Sequence, residues 1–168
     1  YKRGVTDFAQ MTDLSRALRT RLDETFTIPT PELVSRHASS DGTVKFLMTL
    51  GDGRQIETVF IPDTPAMTFC VSTQVGCAMQ CTFCLTGKMG LLRNLTAGEI
   101  AGQVRVMAHE LGLVDRRFNV VLMGMGEPLH NYHETMKALR ILGAECGLGL
   151  GPRRVTLSTV GVLPELDR

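Results

Sequence analysis

Three cysteines stand close together in the run Cys77-Ala-Met-Gln-Cys81-Thr-Phe-Cys84, which has the spacing CxxxCxxC. Such a run supplies thiolates, and a 4Fe–4S cluster is ordinarily held by four cysteines. Three ligands from one short loop leave the fourth iron open to a substrate or a cofactor. The triplet therefore predicts cluster chemistry at an open iron and not only electron storage.

Composition and charge narrow the classes to which the chain can belong. Hydrophobic residues make up 43% and charged residues 21% of the sequence, which is a normal globular balance. There is no signal-peptide pattern and no apolar run approaching the roughly 20 residues of a membrane span. Five cysteines without a secretory signal fit a reducing cytoplasm, so we expect a cytoplasmic protein without membrane association. In that compartment, clustered cysteines indicate metal or redox sites more often than structural disulfides. The net charge of +1 lacks the basic footprint of a dedicated nucleic-acid binder.

The first third of the chain predicts a small accessory region. Apolar residues recur at helical spacing through residues 7–24. Residues 44–50 alternate apolar and polar positions, and residues 56–61 return as a partner strand after the turn Gly51-Asp52-Gly53. We expect a helix followed by a β-hairpin, and a domain spanning residues 1–61.

The remainder predicts alternating strands and helices. Continuous apolar runs indicate buried strands, and residues 118–123 are typical of one that is covered on both faces. Helices are predicted from the capping box Thr96 to Glu99 and from Asn131 with Glu134. The predicted strands lie at residues 67–71, 118–123 and 155–158. The fold class is α/β, and residues 62–168 predict the first part of a (β/α) barrel that continues beyond this chain, preceded by the helix and hairpin.

Three loops should meet at one end of this barrel. Reactive groups gather at the carboxyl ends of parallel strands. The first loop carries the cysteines, the second is Gly124-Met125-Gly126-Glu127-Pro128, and the third begins at Ser158. Glycines let backbone approach a ligand closely, and the carboxylate of Glu127 suits the amino group of an amino-acid-like cofactor. The alternative is a strained turn with a solvated Glu127.

Two further residues have open interpretations. Cys70 is either a small buried hydrophobe or a thiol at the barrel mouth. Glu57 either faces water on the outer side of the hairpin or faces the barrel mouth as a base with a raised pKa. Cys146 lacks a nearby partner in the sequence and is interpreted as structural or incidental.

Taken together, the motifs resemble those of the bacterial dual-specificity 23S rRNA/tRNA adenine-C2 methyltransferases, which are radical S-adenosylmethionine (SAM) enzymes. The resemblance covers almost the whole chain, including the opening Arg3-Gly4-Val5-Thr6-Asp7-Phe8. It is carried by five ordered motifs: Gln74-Val75-Gly76-Cys77 leading into the triplet, Gly87-Lys88-Met89-Gly90, Arg93 to Ile100, Gly124 to Leu129, and Arg153 to Thr159.

This resemblance implies the cofactors and the residue roles. Cys77, Cys81 and Cys84 would ligate one 4Fe–4S cluster per subunit, and SAM would chelate the open iron. Gly126, Glu127 and Ser158 would contribute to the SAM pocket. In the family, a C-terminal cysteine is methylated by one SAM, a radical from a second SAM activates that methyl group, and the carbon adds to adenine. Glu57 matches the position of the proton acceptor. Cys70 matches the cysteine that resolves the RNA adduct by forming a disulfide.

The resemblance also implies partners and a departure from the family. The substrates would be 23S rRNA, at the peptidyl transferase centre, and tRNA, at the adenine 3′ to the anticodon. A reductase or flavodoxin-type protein would donate electrons to a monomeric enzyme. The methyl-carrying cysteine belongs to a C-terminal part that this chain does not contain, and Cys146 does not match it. We therefore expect a fragment that does not turn over alone.

Two alternatives stay open. The related methyltransferase that modifies carbon 8 of the same rRNA adenine, and confers antibiotic resistance, shares the cysteines and the barrel. A zinc-bound RNA-binding module would use the triplet with a fourth ligand, either Cys70 or a histidine, to complete a tetrahedron.

Overall fold

The structure is a computed structural model that describes residues 3–62 and 66–167, and eight strands lie within this part of the chain. They are β1 (Glu32–Ala38), β2 (Val44–Thr49), β3 (Gln55–Ile61), β4 (Thr68–Cys70), β5 (Gln74–Gly76), β6 (Leu91–Asn94), β7 (Asn119–Leu122) and β8 (Val155–Leu157).

Helices in the same residues are α1 (Arg16–Thr25), α2 (Leu85–Lys88), α3 (Ala97–Glu110) and α4 (Tyr132–Gly143). Single 3-10 turns occur at Phe8–Gln10, Pro128–Asn131, Pro152–Arg154 and Glu165–Asp167. Among the residues described, no helix combines the length and the apolar character needed to cross a membrane.

Six strands form one mixed sheet in the order β1-β2-β3-β4-β7-β8, and β5 pairs with β6 in a separate two-stranded sheet. Neighbours from β1 to β4 are antiparallel, whereas β4, β7 and β8 are parallel to one another. Because α3 lies between β4 and β7 in the chain, and α4 between β7 and β8, the β/α alternation expected from the sequence is confirmed. The fold class is α/β, with the three parallel strands connected through helices as in part of a (β/α) barrel.

The N-terminal helix is shorter than its periodicity predicts. Instead of one helix over residues 7–24, a 3-10 turn is followed by α1, which begins after Ser15. The Ser15 hydroxyl accepts a hydrogen bond from the Leu18 N–H at 3.3 Å, so a local cap sets the start of the helix. No residue of α1 is buried, and Leu18 is 41% exposed. The apolar spacing in this segment therefore does not mark a face covered by the sheet.

The predicted hairpin is present, with an additional strand before it. Strands β2 and β3 pair with Met48 opposite Ile56, and both side chains are fully buried. Strand β1 was not predicted from the sequence. It has no buried residue, and its sequence ELVSRHA lacks the apolar alternation that marks a half-buried strand.

The sheet continues across the predicted domain boundary at residue 61. Strand β3 pairs with β4, which places Phe60 opposite Phe69 and Val59 opposite Cys70. Hairpin residues such as Phe46 share one buried cluster with barrel residues such as Ile100. The division into residues 1–61 and 62–168 stays a prediction, and Pro65, which helped to define it, lies outside the described residues.

Helix α3 begins at the predicted capping box. The Thr96 hydroxyl accepts a hydrogen bond from the Glu99 N–H, and the Glu99 carboxylate accepts one from the Thr96 N–H. Its buried face includes Ile100, Val104 and Met107, as the spacing predicts.

Helix α4 and strand β7 differ in detail from expectation. In α4 the fully buried positions are Thr135, Ala138 and Leu142, whereas the predicted Met136 is only half-buried. Strand β7 is covered on one face, not on both: Val121 is half-buried, and Met123 just beyond it is 51% exposed. The side of the sheet away from α3 and α4 is therefore the more open one.

Arg93 on β6 connects the hairpin turn to the start of α3. Its Nε lies 2.7 Å from Asp52 Oδ2, and its two terminal nitrogens lie 2.9 and 2.8 Å from the two oxygens of Glu99. Burial raises the pKa of Glu99, but the bond to Arg93 and the bonds to Thr96 outweigh it, so the net pKa lies below the ordinary value. The guanidinium likewise lowers the pKa of Asp52 to about 2.

Candidate functional site

The cysteine loop is closed at its base by the pair β5–β6. Gln74 lies opposite Asn94, and the Cys77 N–H donates to the Gly90 carbonyl oxygen at 3.0 Å. Gly76 has a φ of +78°, and a Cβ there would overlap the Gly90 carbonyl oxygen. This pair was not predicted from the sequence. It holds the two ends of the loop together, so that residues 77–90 form a closed loop.

The three cysteines of the loop line one open cavity of about 310 Å³. Cys77 is 8% exposed, and Cys81 and Cys84 are half-buried. The Cys84 N–H donates to the Cys81 carbonyl oxygen at 3.0 Å, after which α2 begins. A Cβ on Gly87 would lie 3.0 Å from the Cys81 backbone nitrogen, so α2 packs tightly on the loop that carries the thiols.

The cavity supplies three thiols as possible ligands for a cluster. Among residues 3–62 and 66–167, no group of three or more Cys, His, Asp or Glu side chains is close enough to hold one metal ion. In a 4Fe–4S cube each thiolate binds a different iron, so its ligands stand further apart than those of one ion. The three free thiols line one cavity together with a carboxylate, which matches the donor number of a cluster with one open iron.

The second loop approaches the chain segment that precedes the cysteines. A Cβ on Gly124 would lie 2.7 Å from the Ser72 hydroxyl, and one on Gly126, which has a φ of +105°, would lie 2.6 Å from Gln74 Cβ. The sequence suggests that these glycines admit a ligand. In the structure they admit residues 71–74, although both also line the cavity of the cysteines.

Glu127 is neither a free carboxylate nor a solvated one. It is 3% exposed, and its two oxygens accept hydrogen bonds from the N–H groups of Leu129 and Val160, each at 2.9 Å. The carboxylate therefore joins the second loop to the third. A carboxylate has about four lone-pair sites, so these two bonds leave capacity for an incoming cationic amine.

The structure brings six of the eight predicted site residues to one cavity. Ser158 is exposed and lines it together with Gly126, Glu127 and the three cysteines. Thr159 and Val160, from the same third loop, line it as well.

Glu57 lies outside this cavity, on β3. Its carboxylate pairs with the Lys45 ammonium at 2.8 Å, and the two side chains are 46% and 48% exposed. It lines a neighbouring cavity together with Leu85, Thr86 and Met89, which belong to α2 or adjoin it. The structure thus places Glu57 beside the back of the cysteine loop, and its role as a base stays a prediction.

Cys70 also lies outside the cavity, at the end of β4. Burial raises the pKa of its thiol, and a hydrogen bond with the backbone of Met123 opposes part of that rise. Because Met123 lines the cavity, Cys70 is one residue removed from it. All five cysteines are free, so the structure does not support the disulfide that the resemblance implies. Cys146 is exposed and does not line the cavity.

Two buried amides at the site were not predicted to be functional. Asn131 was expected to cap α4, but its Nδ2 donates to the carbonyl oxygens of Thr73 and Leu95, each at 2.8 Å. Gln74 is fully buried and contacts the second loop directly. The available signal for Gln74 was its place in the motif Gln74-Val75-Gly76-Cys77, which leads into the cysteine triplet.

Comparisons with known proteins agree with this site. The sequence-family model of the Radical SAM superfamily matches residues 71–168, and that of the ribosomal RNA large subunit methyltransferase N-terminal domain matches residues 1–28. A dual-specificity RNA methyltransferase RlmN from Cereibacter sphaeroides is 48% identical across 100% of this chain and 45% of its own length. One of the same name from Dinoroseobacter shibae is 47% identical, with the same two coverages.

A solved structure agrees with these sequence relatives. A radical SAM methyltransferase from Sphaerobacter thermophilus superposes with a TM-score of 0.90 and 44% identity, over 100% of this chain and 50% of that one. The chain thus spans about half the length of the relatives it matches. Radical SAM proteins use a 4Fe–4S cluster, which the cysteine triplet predicts, and SAM, which the resemblance implies. The chain belongs to the radical SAM superfamily.

Proposed function

We propose that this chain is the cofactor-binding part of a radical SAM methyltransferase that methylates carbon 2 of an adenine in 23S rRNA and in tRNA. The observation that carries the proposal is the convergence of the three cysteines with Glu127 and Ser158 around one cavity. The printed names of the relatives, dual-specificity RNA methyltransferase RlmN, support the substrate class.

In this proposal Cys77, Cys81 and Cys84 hold the cluster, and Glu127 with Ser158 binds SAM. The cluster and SAM, when bound, supply the one-electron chemistry that starts methyl transfer. The chain itself provides orientation. Backbone N–H groups from two loops fix the Glu127 carboxylate, so a cationic amine meets an acceptor that is already positioned.

Glu57 and Cys70 are proposed to act on the RNA side of the reaction. Glu57 is the proton acceptor, and its carboxylate is oriented by the contact with the Lys45 ammonium at 2.8 Å. Cys70 is the second thiol of the reaction. Its position beside Met123, at the rim of the cavity, supports this role, and its burial keeps the thiol protonated until it is needed.

The proposal includes the surroundings of the enzyme. We place it in the cytoplasm, because five free cysteines suit a reducing compartment. A reductase or flavodoxin-type protein is the proposed electron donor, and the enzyme is proposed to be a monomer. Gel filtration of the full-length protein tests the last point, and a dimer mass contradicts it.

Anaerobic reconstitution with iron and sulfide tests the cluster. We expect brown cluster absorbance in the wild-type protein and a loss of that absorbance on substitution of Cys77, Cys81 or Cys84 by alanine. Cys146→Ala is the matched control, because Cys146 is exposed and outside the cavity. One tightly bound zinc without cluster absorbance would contradict the proposal. Among the residues described, neither Cys70 nor a histidine lines the cavity, so a fourth zinc ligand of the kind considered is not in place.

Nucleoside mass spectrometry of RNA treated with the full-length protein tests the regiochemistry. We expect 2-methyladenosine in both 23S rRNA and tRNA. The carbon-8 alternative is not favoured by the relatives, and 8-methyladenosine as the product would overturn the carbon-2 assignment.

A further inference from the structure

Gln74 is a buried polar side chain that the proposed mechanism does not yet use. It lies on β5, three residues before Cys77, and is 0% exposed. A buried amide is tolerated when its donors and acceptors are satisfied by well-placed partners. The identity of those partners shows what this side chain connects.

Each end of the Gln74 amide has a defined partner. Its Oε1 accepts a hydrogen bond from the Glu127 N–H at 2.9 Å. Its Nε2 donates to Asn94 Oδ1 at 2.7 Å and lies 3.2 Å from His130 Nδ1. Because a backbone N–H can only donate, the amide oxygen must face Glu127, and the amide nitrogen must face Asn94 and His130. The Nδ1 atom of His130 is then an acceptor.

The aliphatic part of the same side chain supports the loop by contact. A Cβ on Gly126 would lie 2.6 Å from Gln74 Cβ and 2.7 Å from Gln74 Cγ, so no atom fits between them. The backbone N–H of Gln74 also donates to the Met125 carbonyl oxygen at 3.2 Å. Gln74 therefore meets three consecutive residues of the second loop, by packing and by hydrogen bonds.

We propose that Gln74 is a positioning residue that holds the Glu127 loop in register with the cysteine loop and thereby sets the affinity for SAM. The proposal rests on the proposed function, in which the cysteines hold the cluster and Glu127 binds SAM. A ligand that spans both loops needs them at a fixed separation. Gln74 provides it because its backbone leads into Cys77 while its amide binds the Glu127 N–H.

Removal of the amide leaves a buried donor without a partner. In a Gln74→Met variant the side chain keeps its length, but the Glu127 N–H, which lies in a 3% exposed residue, loses its acceptor. The loop then moves to find another acceptor, or it stays with an unsatisfied group. Either outcome costs binding, and we expect the Kd for SAM to rise by about tenfold or more.

The test measures SAM binding in the full-length, anaerobically reconstituted protein, without RNA or turnover. The readout is the change in the electron paramagnetic resonance spectrum of the reduced cluster during a SAM titration, with iron content measured separately. Gln103→Met is the matched control. Gln103 is also 0% exposed, but its amide binds the backbone of Ser72 through two bonds of 2.9 Å and the Glu99 carbonyl oxygen at 3.3 Å, and it makes no direct hydrogen bond to the Glu127 loop.

We expect Gln74→Met to keep wild-type iron content with the raised Kd, and Gln103→Met to bind SAM within about twofold of wild type, although both lose stability. An unchanged Kd in Gln74→Met, or an equal rise in Gln103→Met, overturns the inference.

If Gln74→Met does not fold, the Asn94→Ala variant tests the inference in its place. Asn94 is exposed, so its loss is tolerated, and removing the Nε2 acceptor should raise the Kd by about threefold. No rise there also overturns the inference. A wild-type protein that shows no spectral response to SAM instead contradicts the proposed function.

Discussion

Substitution of Arg93 by methionine should destabilise the protein by about 2 kcal/mol, between the values typical of exposed and of buried ion pairs. The Arg93 side chain is 28% exposed and that of Glu99 only 12% exposed, and the two make a bidentate contact at 2.8 and 2.9 Å. Methionine preserves most of the aliphatic packing, so the loss is electrostatic. Glu99 then remains in a largely buried position, held only by its bonds to Thr96.

The effect should depend on pH in a defined direction. The pKa of Glu99 lies below its ordinary value of 4.5, so ionised Glu99 contributes stability above about pH 4.5, and that contribution is lost as the pH falls through the folded pKa. Without Arg93, only the bonds to Thr96 still oppose burial, so we expect the pKa of Glu99 to be higher in the variant than in the wild type. We therefore expect the difference in unfolding free energy between wild type and Arg93→Met to narrow as the pH falls from 7 to 4.

Urea unfolding at both pH values measures this difference. With an m-value of about 2 kcal/mol/M, the expected change moves the midpoint by about 1 M at pH 7. Arg54→Met is the control, because Arg54 pairs with the same Asp52 at 3.3 Å with both side chains more exposed, at 42% and 37%. It should cost less than about 1 kcal/mol. A difference that is equal at the two pH values, or no larger than that of the control, refutes the reasoning.

Three further outcomes are expected. Gly76→Ala should prevent closure of the cysteine loop and lower the amount of iron retained after reconstitution. Gly90→Ala is the control: Gly90 has a φ of +71° with open space around its Cβ, so this variant should lose only about 1 kcal/mol of stability and retain its iron. Equal iron in the two variants would contradict the role of the β5–β6 pair. Burial raises the pKa of Cys70, so iodoacetamide at pH 8 should alkylate Cys70 more slowly than the exposed Cys146, as measured by mass spectrometry. Faster labelling of Cys70 would show that its thiol is accessible and activated. Glu57→Gln should lower RNA methylation by about 100-fold or more while changing the unfolding free energy by less than about 1 kcal/mol, and an unchanged rate removes Glu57 from the mechanism.

The alternation of strands and helices could be predicted because each element carries its own local signal. The capping box at Thr96 and the apolar run of β7 are features of a few adjacent residues, and both are present. Strand β1 and the pair β5–β6 could not be predicted in this way. Strand β1 pairs with the next strand along the chain, with Ala38 opposite Val44, but it has no buried residue and only its Leu33 packs against the core, so its sequence carries no strand signal. Strand β5 pairs with β6 across the whole cysteine loop, which local patterns do not reveal.

The residues that line the site could be predicted from the sequence, but their hydrogen bonds could not. Parallel strands bring their carboxyl ends together, so the meeting of the cysteines with Glu127 followed from topology. The hydrogen bonds of the Glu127 carboxylate could not be predicted, because its partners Leu129 and Val160 donate through backbone N–H groups that almost any residue could supply. The glycines of the second loop were predicted to let the backbone approach a ligand closely, and that stays a prediction. What approaches Gly126 is Gln74, which lies 52 positions earlier in the sequence.

Strand β4 has a neighbour on each side, antiparallel β3 and parallel β7. No further strand can join it, so the parallel sheet can extend only beyond β8, and it cannot close into a ring through β4. A barrel built on this sheet keeps a seam where the hairpin occupies the place of the closing strand. A small metabolite could enter a closed barrel through its mouth, whereas the proposed substrate, an adenine carried on a folded RNA, would bring its flanking nucleotides with it. A lateral opening would let such a polymer lie across the wall while a single base enters.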